Sequence, residues 1–104
     1  MARFDIYRHP DATLRKNTPF LLDLQNSYLR GVDTRVVAPM RLAKMFGLPL
    51  RDLNPVFDIA GTQVVMDIAA LAAFPAADLR TPVLNLQGQS ELIVGAIDML
   101  FGSN

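Results

Sequence analysis

The chain predicts a mainly β fold, a small antiparallel barrel or sandwich closed by a C-terminal α-helix. Three observations carry this: short runs of strand character recur through the first 84 residues, no strand-helix alternation marks a parallel sheet, and one apolar helical face lies near the C-terminus. At 104 residues, 51% of them hydrophobic and with no internal repeat, the chain reads as one domain over 1–104.

Arg3-Phe4-Asp5-Ile6-Tyr7-Arg8 alternates polar with apolar or aromatic residues, the period of a half-buried strand ending near His9-Pro10. Asp11 to Thr18 is polar, is closed by Pro19, and predicts a mobile loop before strand character resumes at Phe20-Leu21-Leu22-Asp23-Leu24-Gln25. Thr34 to Met40 is rich in β-branched residues, and Pro39, which has no N–H for a ladder, predicts an edge or a bulge there. Residues 41 to 53 mix charges with Leu42, Met45, Phe46 and Leu48, and the breaks at Gly47 and Pro49 predict an exposed, partly apolar loop. Val56 to Met66 places two apolar runs around Gly61, the pattern of a tight hairpin. Asp67 to Ala77 fits either a strand continuation or a short helical turn, and Thr81 to Leu84 is a weaker last strand. Ile93, Ala96, Ile97, Leu100 and Phe101 fall on one face of a helix from about Gly88 to Phe101. Ser90 or Asn85 is the candidate cap, Gly95 either costs the helix stability or admits a close backbone approach, and Gly102 ends it in a left-handed conformation.

Composition excludes several chemistries. With no cysteine there are no disulfides, thiolate metal sites or thiol nucleophiles, which fits a reducing compartment; the cytoplasm is the expected location. No apolar run approaches the length of a spanning helix, and Met1-Ala2-Arg3-Phe4-Asp5 does not open a secretory leader, so no membrane partner is expected. His9 is the sole histidine, Asp5, Asp23, Asp58, Asp67 and Asp98 form no close helical pair, and Gly61 and Gly88 open no phosphate-cradling loop. No catalytic residue, metal or cofactor is therefore expected. Formal charge is zero, yet residues 1 to 52 carry +4 and residues 53 to 104 carry −4. A basic half attracts an acidic peptide or phosphate, unless the two halves simply intermix in space.

Five segments, in order, resemble one family: Phe4-Asp5-Ile6-Tyr7, Leu22-Asp23-Leu24-Gln25, Thr34-Arg35-Val36-Val37-Ala38-Pro39, Leu53-Asn54-Pro55-Val56-Phe57-Asp58-Ile59 and Ala96-Ile97-Asp98-Met99-Leu100-Phe101. In this order and spacing the chain resembles the CcdB toxins from Arg3 to Phe101. The resemblance implies an SH3-like antiparallel barrel with a C-terminal helix and a homodimer. It further implies a toxin that lodges in the A subunit of DNA gyrase and traps cleaved DNA without a covalent step, neutralised by a cognate CcdA-like antitoxin in plasmid or chromosomal maintenance. Direct nucleic-acid binding is not expected. It nominates Phe4, Tyr7, Asp98, Gly102, Ser103 and Asn104 as gyrase contacts, with core or edge packing as the competing role for Phe4 and Tyr7. Arg35 matches a family arginine, and together with Arg15 and Arg41 it is a candidate antitoxin contact. Ile97, Met99 and Leu100 are candidates for the dimer interface, shared with the intrachain core.

One departure stands out. The best-known poisons of this family end Trp-Gly-Ile, their aromatic ring stacking on a gyrase arginine, whereas this chain ends Gly102-Ser103-Asn104 and contains no tryptophan. Loss of such a contact weakens gyrase binding while leaving fold and dimer intact. Two alternatives to a gyrase poison therefore stand. One is a homologue that keeps antitoxin binding but no longer poisons gyrase; the other is an RNA-cutting toxin of related fold using a basic groove of Arg8, Arg15, Lys16, Arg35 and Arg41, for which a lone His9 makes a poor acid-base set.

Overall fold

A computed structural model describes residues 1–29 and 31–102. Among the described residues seven strands form one curled antiparallel sheet: β1 Asp5–Arg8, β2 Phe20–Asp23, β3 Thr34–Leu42, β4 Val56–Ile59, β5 Thr62–Met66, β6 Ala72–Pro75 and β7 Leu84–Asn85. Their order is β4-β5-β3-β2-β1-β7, with β6 also on β3. A one-turn helix α1, Ala43–Phe46, follows β3, and α2, Ser90–Phe101, ends the described chain. This is a half-barrel with a terminal helix and fits a small SH3-like barrel. No helix of the described residues is long and apolar enough to cross a membrane.

The nine-residue β3 organises the curl. One side pairs with β2 from Val37 to Met40; the other pairs with β6 over Thr34–Val37 and with β5 over Met40–Leu42. Pro39 therefore lies in a central strand, neither at an edge nor in a bulge. It is tolerated because its carbonyl accepts the Asp67 N–H at 2.9 Å, so its nitrogen points to the same side, into the seam where β6 hands over to β5.

The alternation in β1 does not produce one wet face. Ile6, Leu22 and Ala38 stand in one cross-strand row and join a core with Phe57, Met66, Ile93 and Ala96. Tyr7, Leu21 and Val37, on the opposite face, meet Leu79 and Phe74 from the segment that wraps back over the sheet. Both faces of the central strands are thus covered, and even Asp5 and Asp23 are buried.

The segment from 67 to 78 resolves into both candidate structures: a 3₁₀ turn at Ile68–Ala70, strand β6, then a second turn at Ala76–Asp78. Ala60 and Gly61, with φ of 51° and 86°, make the β4-β5 hairpin turn, as the sequence pattern requires. The Asp11–Thr18 loop is not open. Asp11 Oδ1 accepts the Thr13 N–H at 2.8 Å, its carbonyl accepts the Arg15 N–H at 3.0 Å, and a 3₁₀ turn forms at Leu14–Lys16. The expected excursion after β3 carries the single turn of α1 but leaves Met45, Leu48 and Leu50 exposed.

Neither Ser90 nor Asn85 caps α2 directly. Asn85 Oδ1 instead accepts the Gln87 N–H at 2.7 Å, ordering the 3₁₀ turn that leads into the helix. Gly102, at φ 77°, ends α2 by donating its N–H to the Asp98 carbonyl at 2.7 Å. Gly95 lies in the helix interior, and a methyl group in place of its hydrogen would meet nothing within 4 Å, so no backbone of the described residues approaches it.

Candidate functional site

The start of β1 and the C-terminal end of α2 are the first place to seek contact groups. Phe4 and Tyr7 are drawn inward. Phe4 is 4% exposed in a positive-φ conformation, its N–H donating to the Asp23 carbonyl at 2.7 Å and its carbonyl accepting the Leu86 N–H at 2.9 Å. The Arg3 guanidinium lies 4.8 Å above its ring and donates to the Leu24 carbonyl, closing the outer side. Tyr7 is fully buried, and its hydroxyl donates to Asp5 Oδ2 at 3.3 Å. Burial, and then the Asp5 carboxylate, push that phenol up to about 12. Both aromatics therefore pack the core and present no ring to a partner in this structure.

The exposed chemistry sits on α2. Ile93 and Ala96 are fully buried, Ile97 and Leu100 are half-buried against the core, and Asp98 and Met99 face outward. Leu92, Met99 and Phe101 are more than half exposed, with Phe101 the barest at 69%. Leu92, Gly95 and Met99 share one side of the helix with Glu91, and across a shallow groove stand Asp52 and Pro55. Val56, at the start of β4, adds another exposed apolar group. The helical pattern placed Phe101 on the buried face. Phe101 is instead the last residue of the helix, and its ring is left outside. Ser103 and Asn104 lie outside the described residues, and Gly102 serves as the helix stop.

The arginines divide by what they already bind. Arg35, 4% exposed, forks onto Asp23 at 2.8 and 3.0 Å and donates also to the Gln25 carbonyl at 3.1 Å. The pair ties β3 to β2 beneath the surface. Arg41 donates to Asp67 Oδ2 at 2.8 Å and to Thr18 Oγ1 at 2.9 Å, and is partly exposed. Arg15 spends its Nε on the His9 carbonyl at 2.9 Å, anchoring the loop after β1. The basic groove of Arg8, Arg15, Lys16, Arg35 and Arg41 is thus not assembled, because Arg35 is internal. A different set does share a cleft: Arg8 and Arg15 meet Arg80 from the far half of the chain. Sequence spacing carries no signal for that meeting, which depends on the segment after β6 returning past the end of β1.

His9 is buried, edge-on to Phe74 at 5.7 Å between centroids. Burial lowers its pKa below the ordinary 6.5; Asp11 opposes this, while Arg15 and Arg41 reinforce it. Among the described residues no group of three or more His, Asp and Glu side chains is placed to hold a metal ion.

A family model described as CcdB protein matches residues 3–102, nearly the whole chain. Among curated proteins none matches significantly.

Proposed function

The chain belongs to the CcdB family, toxins of the ccd system, and from this we propose that it binds the A subunit of DNA gyrase and traps the cleaved-DNA complex by binding alone. The match over residues 3–102 is the observation that carries the reading. A poison of this kind needs no reactive group. A ligand that binds the open, cleaved enzyme better than the resealed one shifts the population by that difference in affinity.

The outward groups at the end of α2 suit the contact: Phe101 supplies an exposed ring, Asp98 a carboxylate and Met99 a pliable apolar surface. In this reading Phe101 takes the stacking part that a terminal tryptophan plays in the best-known poisons, and Phe4 and Tyr7 support the surface from behind. The groove between α2 and the segment before β4, with Leu92, Met99 and Val56 around it, receives a second copy to form a homodimer. A cognate CcdA-like antitoxin engages Arg15 and the exposed part of Arg41, with Arg35 holding β2 and β3 in place. Contacts of that kind weaken as salt rises.

Purified protein is added to gyrase and DNA, and supercoiling and cleaved DNA are measured together. The expected result is accumulation of cleaved DNA that falls at least tenfold in potency with Phe101→Ala, the scale of a lost interface aromatic. Supercoiling untouched at any dose with antitoxin binding retained identifies the non-poisoning homologue, and degradation of RNA without an effect on gyrase rejects the binding mechanism.

A further inference from the structure

We propose that the cleft at the C-terminal end of β1 is a binding site for a small phosphate-bearing ligand. It is lined by Arg8, His9, Arg15, Asp78, Arg80 and Thr81 and measures about 490 Å³, a size suited to a nucleotide-sized molecule. The site is independent of the gyrase and dimer surfaces on α2.

Charge is the first argument. Three guanidinium groups line the cleft against one carboxylate, and no ion pair within 4.0 Å joins Asp78 to any of them among the described residues. In a chain of zero formal charge, this is a local concentration of unpaired positive charge. Arg8 and Arg80 are exposed and make no side-chain hydrogen bond among the described residues. Arg15 is different: its Nε is fixed on the His9 carbonyl at 2.9 Å, which holds the guanidinium in place with its remaining N–H groups unspent.

His9 is the second argument, and it does not depend on charge. Its Nδ1 accepts the Asp11 backbone N–H at 3.1 Å, so the proton of the neutral ring belongs on Nε2. That Nε2–H has no acceptor among the described residues; the residue as a whole is 95% buried, but this nitrogen still reaches solvent, and the residue lines the cleft. The ring is thereby held with a free N–H donor for whatever enters the cleft, water or a bound group. Thr81 lines the same cleft.

Phosphate fits this donor set better than a carboxylate. A terminal phosphate has up to two charges and three oxygens, enough for two arginine forks and the imidazole N–H at once, whereas one carboxylate has two oxygens. Asp78, lining the same cleft, opposes any anion that enters it.

The sole histidine makes the test direct, since its ring C–H resonance needs no assignment. Pyrophosphate is titrated into the full chain at fixed ionic strength while the His9 signal is followed. A saturable shift is expected, weakened roughly tenfold or more by Arg80→Ala and by Arg8→Ala, each the loss of a charge-assisted hydrogen bond at an exposed position that the fold does not need. Asp78→Asn tightens binding. A hexaglutamate peptide that binds as tightly as pyrophosphate overturns the proposal in favour of a peptide site. So does a shift that fails to saturate or is unchanged in both arginine variants.

Discussion

Tyr7 places a phenol between two buried carboxylates, and its titration is a stability measurement. The folded chain holds the proton up to about 12, whereas the unfolded chain releases it near 10.0. Unfolding therefore releases a proton between those values, so the contribution of Tyr7 to stability is constant below 10.0 and falls as pH rises toward 12. Denaturant midpoints across this window show that slope in the native chain and lose it in Tyr7→Phe, which costs about 1 kcal/mol at neutral pH for the lost hydrogen bond. The Asp23–Arg35 pair is costlier to break. Arg35→Ala strands a carboxylate whose side chain is 0% exposed, at a cost of about 3–5 kcal/mol, whereas Asp23→Leu combined with Arg35→Met costs less than either single change. Urea unfolding of Arg35→Ala, of the two single changes and of their combination checks the order. A loss of antitoxin binding by Arg35→Ala reports this unfolding before any direct contact.

Helix α2 shows how much an element owes to its own sequence. The apolar spacing of Ile93, Ala96, Ile97 and Leu100 sets which side meets the sheet, and Gly102 supplies the stop. Gly95 sits on the exposed side with open space where a methyl group would go. Gly95→Ala is expected to stabilise the chain by about 0.5–1 kcal/mol through helix propensity alone, seen as a higher thermal midpoint. The segment from 67 to 78 behaves in the opposite way. Its alanines favour no single structure, and it becomes turn, strand and turn only because β3 offers an open ladder from Thr34 to Val37.

At the scale of the whole molecule, the exposed side of α2 with Leu92 and Met99, near Val56, is the surface on which a second copy is expected to close. Sedimentation at micromolar concentration is expected to show a dimer that Met99→Glu shifts toward the 11.5 kDa monomer without altering the circular dichroism of the fold. A native chain that sediments only as monomer removes the homodimer reading. The same surface is the one proposed to meet gyrase, so the Met99→Glu protein is also expected to lose cleaved-DNA trapping, whereas Arg80→Ala, in the separate cleft, is expected to retain it.

Taken alone, the sequence determined the mainly β class, the Val56–Met66 hairpin, the terminal helix with its glycine stop, and the family. These are written in local periodicity, turn chemistry and ordered motifs, and need no knowledge of what lies across the fold. Tertiary structure alone decided that both faces of β1 are covered, that Pro39 sits harmlessly in a central strand, that Arg35 is spent internally, and that Arg80 joins Arg8 and Arg15. Burial and charge pairing depend on which distant segments arrive beside a residue. That is settled by β3 pairing with two strands end to end and by the chain that returns over the sheet after them.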